Sequence, residues 1–192
     1  LSDEHEGIMV LPENLNIGDD FSSAYGYKFI SVDIDITPNR PDAFSYLGVA
    51  RDLACYKNIP LKKIKVNKKK SNNSKRIKIS TESITDCPRY IAGLIDNIKV
   101  QSSPEWIIER LKASGLRSIN NIVDISNLVM LEMGQPSHIF DYESLSSNEI
   151  YIRRAKNEEI FKTLDNNTHK LKKENLLIIN ADKPIALAGL MG

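Results

Sequence analysis

The sequence predicts an α+β fold in two parts, a small N-terminal module followed by a larger mixed domain. Two helical patterns stand next to each other in the middle of the chain, at 104–114 and 119–133. Segments with strand character precede and follow this pair, without the regular alternation of strand and helix that is typical of α/β folds. With 192 residues, 41% of them hydrophobic, the chain can fill one sizeable core or two small ones.

The N-terminal module is predicted at 1–62 and contains two strand patterns and one helix. Residues 7–11 form the first strand pattern. In 29–36, isoleucine and valine alternate with serine and aspartate, which is typical of a half-buried strand. Asp42 can cap the following helix, which we expect to end near Asn58. The expected core stripe of that helix comprises Phe44, Leu47, Ala50, Leu53 and Ala54.

Residues 63–75 are basic and polar, so we interpret them as a linker, with the boundary between the two parts at 71–74. The lysines could contact an RNA backbone. A solvated linker is the favoured interpretation, because the whole chain is biased towards lysine, with 18 Lys against 8 Arg. The formal net charge of +1 gives no long-range attraction to nucleic acid or to a membrane surface.

The larger domain, at 76–192, is predicted to open with strands at 76–80 and 89–100. Ser103 before Pro104 indicates an N-cap and a first-turn proline, and Gly115 can end the helix that they begin. The expected buried side of this helix comprises Trp106, Ile107, Ile108 and Leu111. Later strands are expected at 149–154, 159–164, 170–171 and 176–180, with a turn that starts at Asp165.

The most unusual side chains are concentrated at 115–143. Within this stretch, apolar residues recur at helical spacing over 119–133 with asparagine and aspartate between them, which predicts an amphipathic helix with an amide-rich face. Gly134 can adopt the left-handed conformation that ends a helix, and Pro136 cannot continue it. The loop that follows is a candidate functional site and presents Gln135, Ser137, His138 and Asp141.

His138 is the first candidate for chemistry, because it lies in this loop beside Asp141. Its imidazole could donate or accept a hydrogen bond, or orient a water molecule. A histidine that only satisfies loop carbonyl groups is the favoured alternative on spacing alone. His5 and His169 stand among surface-type residues and are assigned no role.

Arg117 is the second candidate, because it lies between the two central helices. A guanidinium group in a fixed position can hold a phosphate or a carboxylate through two parallel hydrogen bonds. Arg117 could equally pair with Asp124 or Glu132, and on spacing alone such a structural pair is favoured.

Cys55 and Cys87 are the two cysteines, without metal-type spacing, so we expect both to be small core residues in a reducing cytosol. The sequence contains no Walker loop, GxGxxG, HExxH or paired-cysteine zinc pattern, and no metal site is predicted. No signal-peptide pattern and no bilayer-length apolar run are visible, so we expect a soluble, cytoplasmic protein. Both ends look cut from a longer chain.

Four strings carry a resemblance to a known family: DIDITPNRPDAFSYLGVARDL, CPRYIAG, GLRSINNIVDISNLVMLEMGQPSHIFD and ALAGLMG. In this order, from about Ser2 to Gly192, they resemble the beta subunit of bacterial phenylalanine tRNA ligase, and the GQPxHxFD pattern is specific. The resemblance implies a fragment in which 1–62 is part of the N-terminal module of that subunit. It implies that 76–192 is a truncated editing module with a β-sandwich of unusual topology.

The resemblance also implies a division of labour in the whole enzyme. An alpha subunit would carry out aminoacylation with ATP and magnesium, in a tetramer of two alpha and two beta chains that binds the tRNA for phenylalanine. No cofactor is expected in this fragment. By similarity, Arg117, His138 and Gly192 match positions that line the editing pocket, where water attacks a wrongly formed tyrosyl ester near His138, helped by a ribose hydroxyl of the tRNA.

This sequence departs from the family pattern in two respects. The glutamate that reads the phenol in the family lies beyond Gly192. Ser137 and Ile139 flank His138 where the family more often has an apolar residue and a small one, and a larger isoleucine could narrow the pocket. The alternative function is therefore a non-catalytic scaffold that guides tRNA. A free RNA-binding fragment that relies on the lysines of 62–70 is the third hypothesis.

Overall fold

A computed structural model describes residues 13, 15–24, 30–66 and 75–190. Contacts divide the chain into two compact units, each discontinuous in sequence. The first unit combines Leu1–Pro60 with Val100–Pro136, and the second combines Leu61–Lys99 with Ser137–Gly192. The boundaries near 62 and 76 that the sequence predicts separate parts that are continuous in sequence, and they stay a prediction.

Helices and strands separate between the two units, which confirms the predicted α+β class. The α-helices of the described residues belong to the first unit: α1 (Phe21–Ala24), α2 (Tyr46–Lys57), α3 (Glu105–Ala113) and α4 (Asn121–Met133). The strands found in the same ranges belong to the second unit: β1 (Lys78–Thr81), β2 (Glu149–Arg154), β3 (Ile160–Lys162), β4 (Thr168–Lys170), β5 (Leu176–Asn180) and β6 (Lys183–Leu187). Short 3-10 turns occupy Pro41–Ala43 and Tyr142–Ser144. None of the helices described is long and apolar enough to cross a membrane.

The first unit has its core between α3 and α4, where Ile107, Leu111 and Leu128 are buried against one another. The predicted helix at 119–133 is confirmed at its C-terminal end, while its N-terminal end lies two residues later than predicted, at Asn121. The side chain of Asn120 accepts hydrogen bonds from the backbone amides of the first turn of α4. Gly134 ends the helix with a φ of 72°, in the left-handed region that glycine adopts without strain.

Helix α2 begins later than predicted, and its cap is a different residue. The side chain of Ser45 accepts the hydrogen bond of Gly48 N, while Asp42 forms an ion pair with Arg40 instead of capping the helix. Asn58 follows the helix with a φ of 50°, close to the predicted end. The predicted core stripe is wrong at two positions, since these large side chains are 60% and 56% exposed: Phe44 and Leu53.

Helix α3 also starts differently from the prediction. Ser103 is buried and its hydroxyl donates to Asp124, so it does not cap α3, and Pro104 occupies the N-cap position. Trp106 is 52% exposed, which contradicts its predicted place on the buried side of the helix. Gly115 follows the last turn with a φ of 74°, as expected for a residue that ends a helix.

The second unit is built on a four-stranded sheet in the order β1-β2-β5-β6. β1 runs parallel to β2, and the other two pairs are antiparallel. β5 is buried on both faces, with Ile178 in the core on one face and Leu177 and Ile179 in the core on the other. A separate hairpin of β3 and β4 contributes the buried Phe161 to the second of these cores.

Several local predictions fail in identifiable ways. Residues 30–36 and 89–99 are not strands, and Ile95 is 77% exposed. β6 was not predicted. Cys55 is exposed and Cys87 is partly buried, so the expectation of two core cysteines is wrong for Cys55. The predicted strand at 7–11 and the predicted boundary at 71–74 lie outside the described residues.

Candidate functional site

The loop that carries the predicted histidine belongs to the second unit, where His138 is exposed. Its ring meets the ring of Phe140 edge to face, with 4.9 Å between the ring centroids and an interplanar angle of 88°. Phe140 is partly buried and packs against the core formed by Ile150, Ile152, Ile178 and Ala186. A side chain anchored in the sheet therefore braces the imidazole from one side, while the other side stays accessible to solvent.

Asp141, the predicted neighbour of the histidine, has a different role. Its carboxylate accepts hydrogen bonds from Glu143 N at 3.1 Å and from Ser144 Oγ at 2.9 Å, which caps the 3-10 turn Tyr142–Ser144. Within the described ranges, no residue donates a hydrogen bond to the His138 ring or accepts one from it. His138 and Asp141 are therefore close in sequence but do not form a hydrogen-bonded pair.

A buried asparagine fixes the far end of the same segment. Asn180, at the end of β5, is only 3% exposed. Its Oδ1 accepts from Ser146 N at 2.8 Å and Ser147 N at 3.2 Å, and its Nδ2 donates to Ser147 O and Glu149 O, each at 2.8 Å. Sequence analysis missed this residue because asparagine is abundant in the chain. A polar side chain at the end of a fully apolar strand was the signal that could have found it.

Arg117 lies in the first unit, between α3 and α4, and is exposed. Neither predicted partner binds it. Glu132 pairs with Arg110 at 2.9 Å, and Asp124 accepts hydrogen bonds from Ser103, Ser118 and Ile119. In the part of the chain that the structure describes, Arg117 has no ion-pair partner. The favoured structural pairing is thus wrong, and the guanidinium faces solvent.

Asp124 is the most deeply buried charged residue near Arg117, with no exposed surface. Its carboxylate accepts from Ser103 Oγ and Ser118 Oγ, each at 2.6 Å, and from Ile119 N at 2.8 Å. Burial acts to raise the pKa of Asp124, but these hydrogen bonds outweigh it and hold the pKa below its usual value. Sequence analysis placed Asp124 on a polar helix face and so did not anticipate its burial.

Gly192 lies outside the described residues, as do the lysines at 68–70. Arg117 belongs to the first unit and His138 to the second. The described residues contain no group of three or more histidine, cysteine, aspartate or glutamate side chains able to hold a metal ion.

Comparison with known proteins places these residues in a family context. A family model described as B3/4 domain matches residues 86–192, a range that contains both Arg117 and His138. The chain is similar along its length to proteins named phenylalanine–tRNA ligase beta subunit. It is 45% identical over 194 residues to the one from Dehalococcoides mccartyi and 42% identical over 193 residues to the one from Desulfotalea psychrophila. These alignments cover 100% of this chain and 24% of each relative, so the chain spans about a quarter of their length.

Proposed function

Because the chain belongs to the B3/4 domain family, and matches part of phenylalanine–tRNA ligase beta subunits, we propose that it contributes the editing step of such a ligase. In this step, tyrosine that has been wrongly attached to the tRNA for phenylalanine is removed by hydrolysis. The observation that carries the proposal is the exposed His138 ring, braced by Phe140 in a loop that lies within the B3/4 match. A bare surface histidine would have no such anchor in the core.

The need for a second site follows from the chemistry of the two amino acids. An apolar pocket rejects a ligand that merely adds a hydroxyl group by only about a hundredfold. A ligase specific for phenylalanine therefore makes tyrosyl esters at a low rate. A separate site that hydrogen-bonds the phenol can select these esters and hydrolyse them, because there the hydroxyl is required for binding and does not have to be excluded.

The proposed reaction is ester hydrolysis at the 3′ end of the tRNA. Water adds to the carbonyl carbon of the tyrosyl ester, the bond between that carbon and the ribose oxygen breaks, and the ribose oxygen takes up a proton. His138 is assigned to hydrogen-bond the terminal ribose or the attacking water, with a ribose hydroxyl of the tRNA assisting. Arg117 is assigned to a phosphate of the tRNA, because guanidinium binds phosphate through two parallel hydrogen bonds. Gly192 is assigned to the pocket lining.

The proposal includes partners and a setting for the whole enzyme. The partners are an alpha subunit, two copies of which assemble with two beta subunits, and the tRNA for phenylalanine. Aminoacylation with ATP and magnesium belongs to the alpha subunit, in the cytoplasm. Among the described residues of this chain no cluster of metal-ligating side chains fits magnesium, so none of them is assigned to that ion.

The experiment is hydrolysis of tyrosyl-tRNA specific for phenylalanine, measured with the longest natural form of the protein that carries this chain, and with the 192-residue chain beside it. We expect His138→Ala to lower kcat about 100-fold, the usual contribution of one acid–base or oriented hydrogen-bonding group. His169→Ala is the matched control, because His169 is an exposed histidine of the same unit, in β4. It should leave the rate within twofold of wild type.

One observation favours the second candidate function, a scaffold that guides tRNA without catalysis. The carboxylate of Asp141 is engaged by Glu143 N and Ser144 Oγ and does not orient the imidazole of His138. If the protein is a scaffold, tRNA should bind, but tyrosyl-tRNA should not be hydrolysed by the longest natural form or by the 192-residue chain. Hydrolysis that depends on His138 but not on His169 would instead support the editing function.

A further inference from the structure

The carboxylate of Asp124 is a buried charge without a cationic partner in the described part of the first unit. It has no exposed surface, and its hydrogen bonds come from two hydroxyl groups and from the backbone of Ile119 and Asn120. A buried charge costs several kcal/mol of solvation, and an apolar side chain of similar size often stabilises a core more. The packing of α3 on α4 therefore does not by itself require an aspartate at this position.

What the carboxylate holds is the segment that presents Arg117. Ser118 Oγ and Ile119 N, which bind Asp124 at 2.6 and 2.8 Å, belong to the two residues that directly follow Arg117. Charge-assisted hydrogen bonds of this length are stronger and more directional than neutral ones. The third bond, from Ser103 Oγ at 2.6 Å, ties the same carboxylate to the residues before α3.

The other end of this segment is fixed independently. Asn121 N donates to Gln101 O at 2.8 Å, and Gln101 N donates to Asn121 Oδ1 at 3.1 Å, which makes a two-bond clasp. Asn120 caps α4 through Ile122 N and Val123 N. Each residue from 118 to 121 thus makes at least one hydrogen bond, Ser118 through its side chain and the other three through the backbone, while the Arg117 side chain next to them is exposed.

We propose that Asp124 is a positioning residue for Arg117, which it serves by fixing the backbone on which the guanidinium is mounted. This inference rests on the proposed function, in which Arg117 binds a tRNA phosphate. An arginine side chain has several rotatable bonds, so a mobile backbone would spread the guanidinium over many positions and raise the entropic cost of binding. A buried charge that stiffens this backbone lowers that entropic cost. This effect explains the presence of an aspartate at position 124, which packing alone does not explain.

The test is a double-mutant cycle in the longest natural form of the protein, with kcat and KM for tyrosyl-tRNA hydrolysis measured for wild type, Asp124→Asn, Arg117→Ala and the double variant. Asparagine keeps the shape of the aspartate and can still accept from Ile119 N. We expect Asp124→Asn to lower kcat/KM about tenfold when Arg117 is present and less than twofold when it is absent. In the Arg117→Ala background there is no guanidinium left to position, so the second substitution has little further effect. The loss should lie mainly in KM.

A merely structural role predicts equal losses from Asp124→Asn with and without Arg117. That result would overturn the inference and leave the proposed function standing. An Arg117→Ala variant with full hydrolysis would overturn the inference by removing its premise, and absence of hydrolysis in the wild type would overturn the proposed function itself. Arg51→Ala, at an exposed arginine of α2 in the same unit, is the control for loss of charge.

Ser118→Ala provides a second route, in case Asp124→Asn unfolds the first unit. This variant removes the hydroxyl bond next to Arg117 and leaves the bonds from Ser103 and Ile119 in place. Like Asp124→Asn, it should lower kcat/KM when Arg117 is present and have little effect in the Arg117→Ala background. Hydrogen exchange at the Ile119 amide gives a readout separate from activity, since it should accelerate in Asp124→Asn. Unchanged exchange together with unchanged hydrolysis would also overturn the inference.

Discussion

The backbone of Gly48, in the first turn of α2, lies directly against the backbone of Asp42. A Cβ atom added to Gly48 would stand 2.0 Å from the carbonyl oxygen of Asp42 and 2.7 Å from the Cα of Ala43. Both are backbone atoms, so no side-chain rotation can relieve the clash. The 3-10 turn at Pro41–Ala43 can therefore pack on the helix only because position 48 has no side chain.

This contact predicts that Gly48→Ala destabilises the first unit. Overpacking against a rigid neighbour costs about 1–3 kcal/mol, and this site belongs at the upper end because backbone has to move. Gly93→Ala is the matched control, since a Cβ at Gly93 meets nothing within 4 Å and its φ is not positive. Urea denaturation should show a lower midpoint for Gly48→Ala, with Gly93→Ala at or slightly above wild type.

Removal of the Asn180 side chain should loosen the segment that leads to β2. Asn180→Ala leaves the amides of Ser146 and Ser147 and two carbonyl groups without their partner in partly buried surroundings. An unsatisfied buried group costs about 1–3 kcal/mol, and because these groups are only partly buried we expect a total of about 2 kcal/mol. Asn148→Ala, at an exposed asparagine in the same segment, should stay within about 0.5 kcal/mol of wild type in the same thermal melts.

The ion pair of Arg153 and Glu159 should make the second unit sensitive to acid. Two hydrogen bonds from Arg153, at 2.8 and 2.9 Å, are the main reason that the pKa of Glu159 falls to about 2 from its usual 4.5. Because the folded-state pKa is depressed, the stabilisation is complete above about pH 4.5 and is lost as the pH falls towards 2. Allowing for solvent screening, it amounts to about 2 kcal/mol.

Glu159→Gln therefore should be less stable than wild type at pH 7, and the two proteins should converge as the pH approaches 2. Chemical denaturation at a series of pH values measures this difference directly. Glu158→Gln is the control, because the pair of Glu158 with Lys170 has both side chains more than 60% exposed. A constant gap between wild type and Glu159→Gln from pH 7 to pH 2 would contradict the assignment.

Removal of the Ser103 hydroxyl should destabilise the protein much more than removal of the hydroxyl of the adjacent Ser102. Ser103→Ala removes a hydroxyl that donates to a buried carboxylate, and a lost hydrogen bond to a charged group costs about 1.5–3 kcal/mol. Ser102→Ala removes an exposed hydroxyl next to it and should cost less than about 0.5 kcal/mol. Equal stabilities of the two variants would show that the carboxylate is satisfied in some other way.

Local signals predicted the helix α4 and the strand β5 closely, because each carries its own boundary markers. α4 has apolar residues at helical spacing and a glycine at its end, and β5 is a short apolar run. The alternating pattern of 29–36 and the apolar segment 89–100 led to wrong strand predictions over their described residues. Alternation favours an extended backbone, but a strand also needs a neighbour to pair with, and sequence periodicity does not encode that neighbour.

In the candidate site, too, the sequence predicted some features and not others. Arg117 and His138 could be singled out by residue type and by resemblance, yet their partners could not. Asp124 is buried and accepts hydrogen bonds from serines of two segments, one before α3 and one after it. Phe140 braces His138 from two residues away, a relationship that depends on the core it packs against. Partners of this kind arise from tertiary packing, which local propensity does not report.

The parallel pairing of β1 with β2 sets an order of events at the ribosome. Ser80 and Glu149, which are hydrogen-bonded between these strands, are 69 residues apart in the chain. At roughly 5–20 residues per second, β1 emerges roughly 3 to 14 s before its partner strand. The segment with α3 and α4 is synthesised during this interval, so the helical unit can collapse first while β1 waits without its sheet. Chaperone dependence should therefore be greatest for nascent chains that stop between α4 and β2.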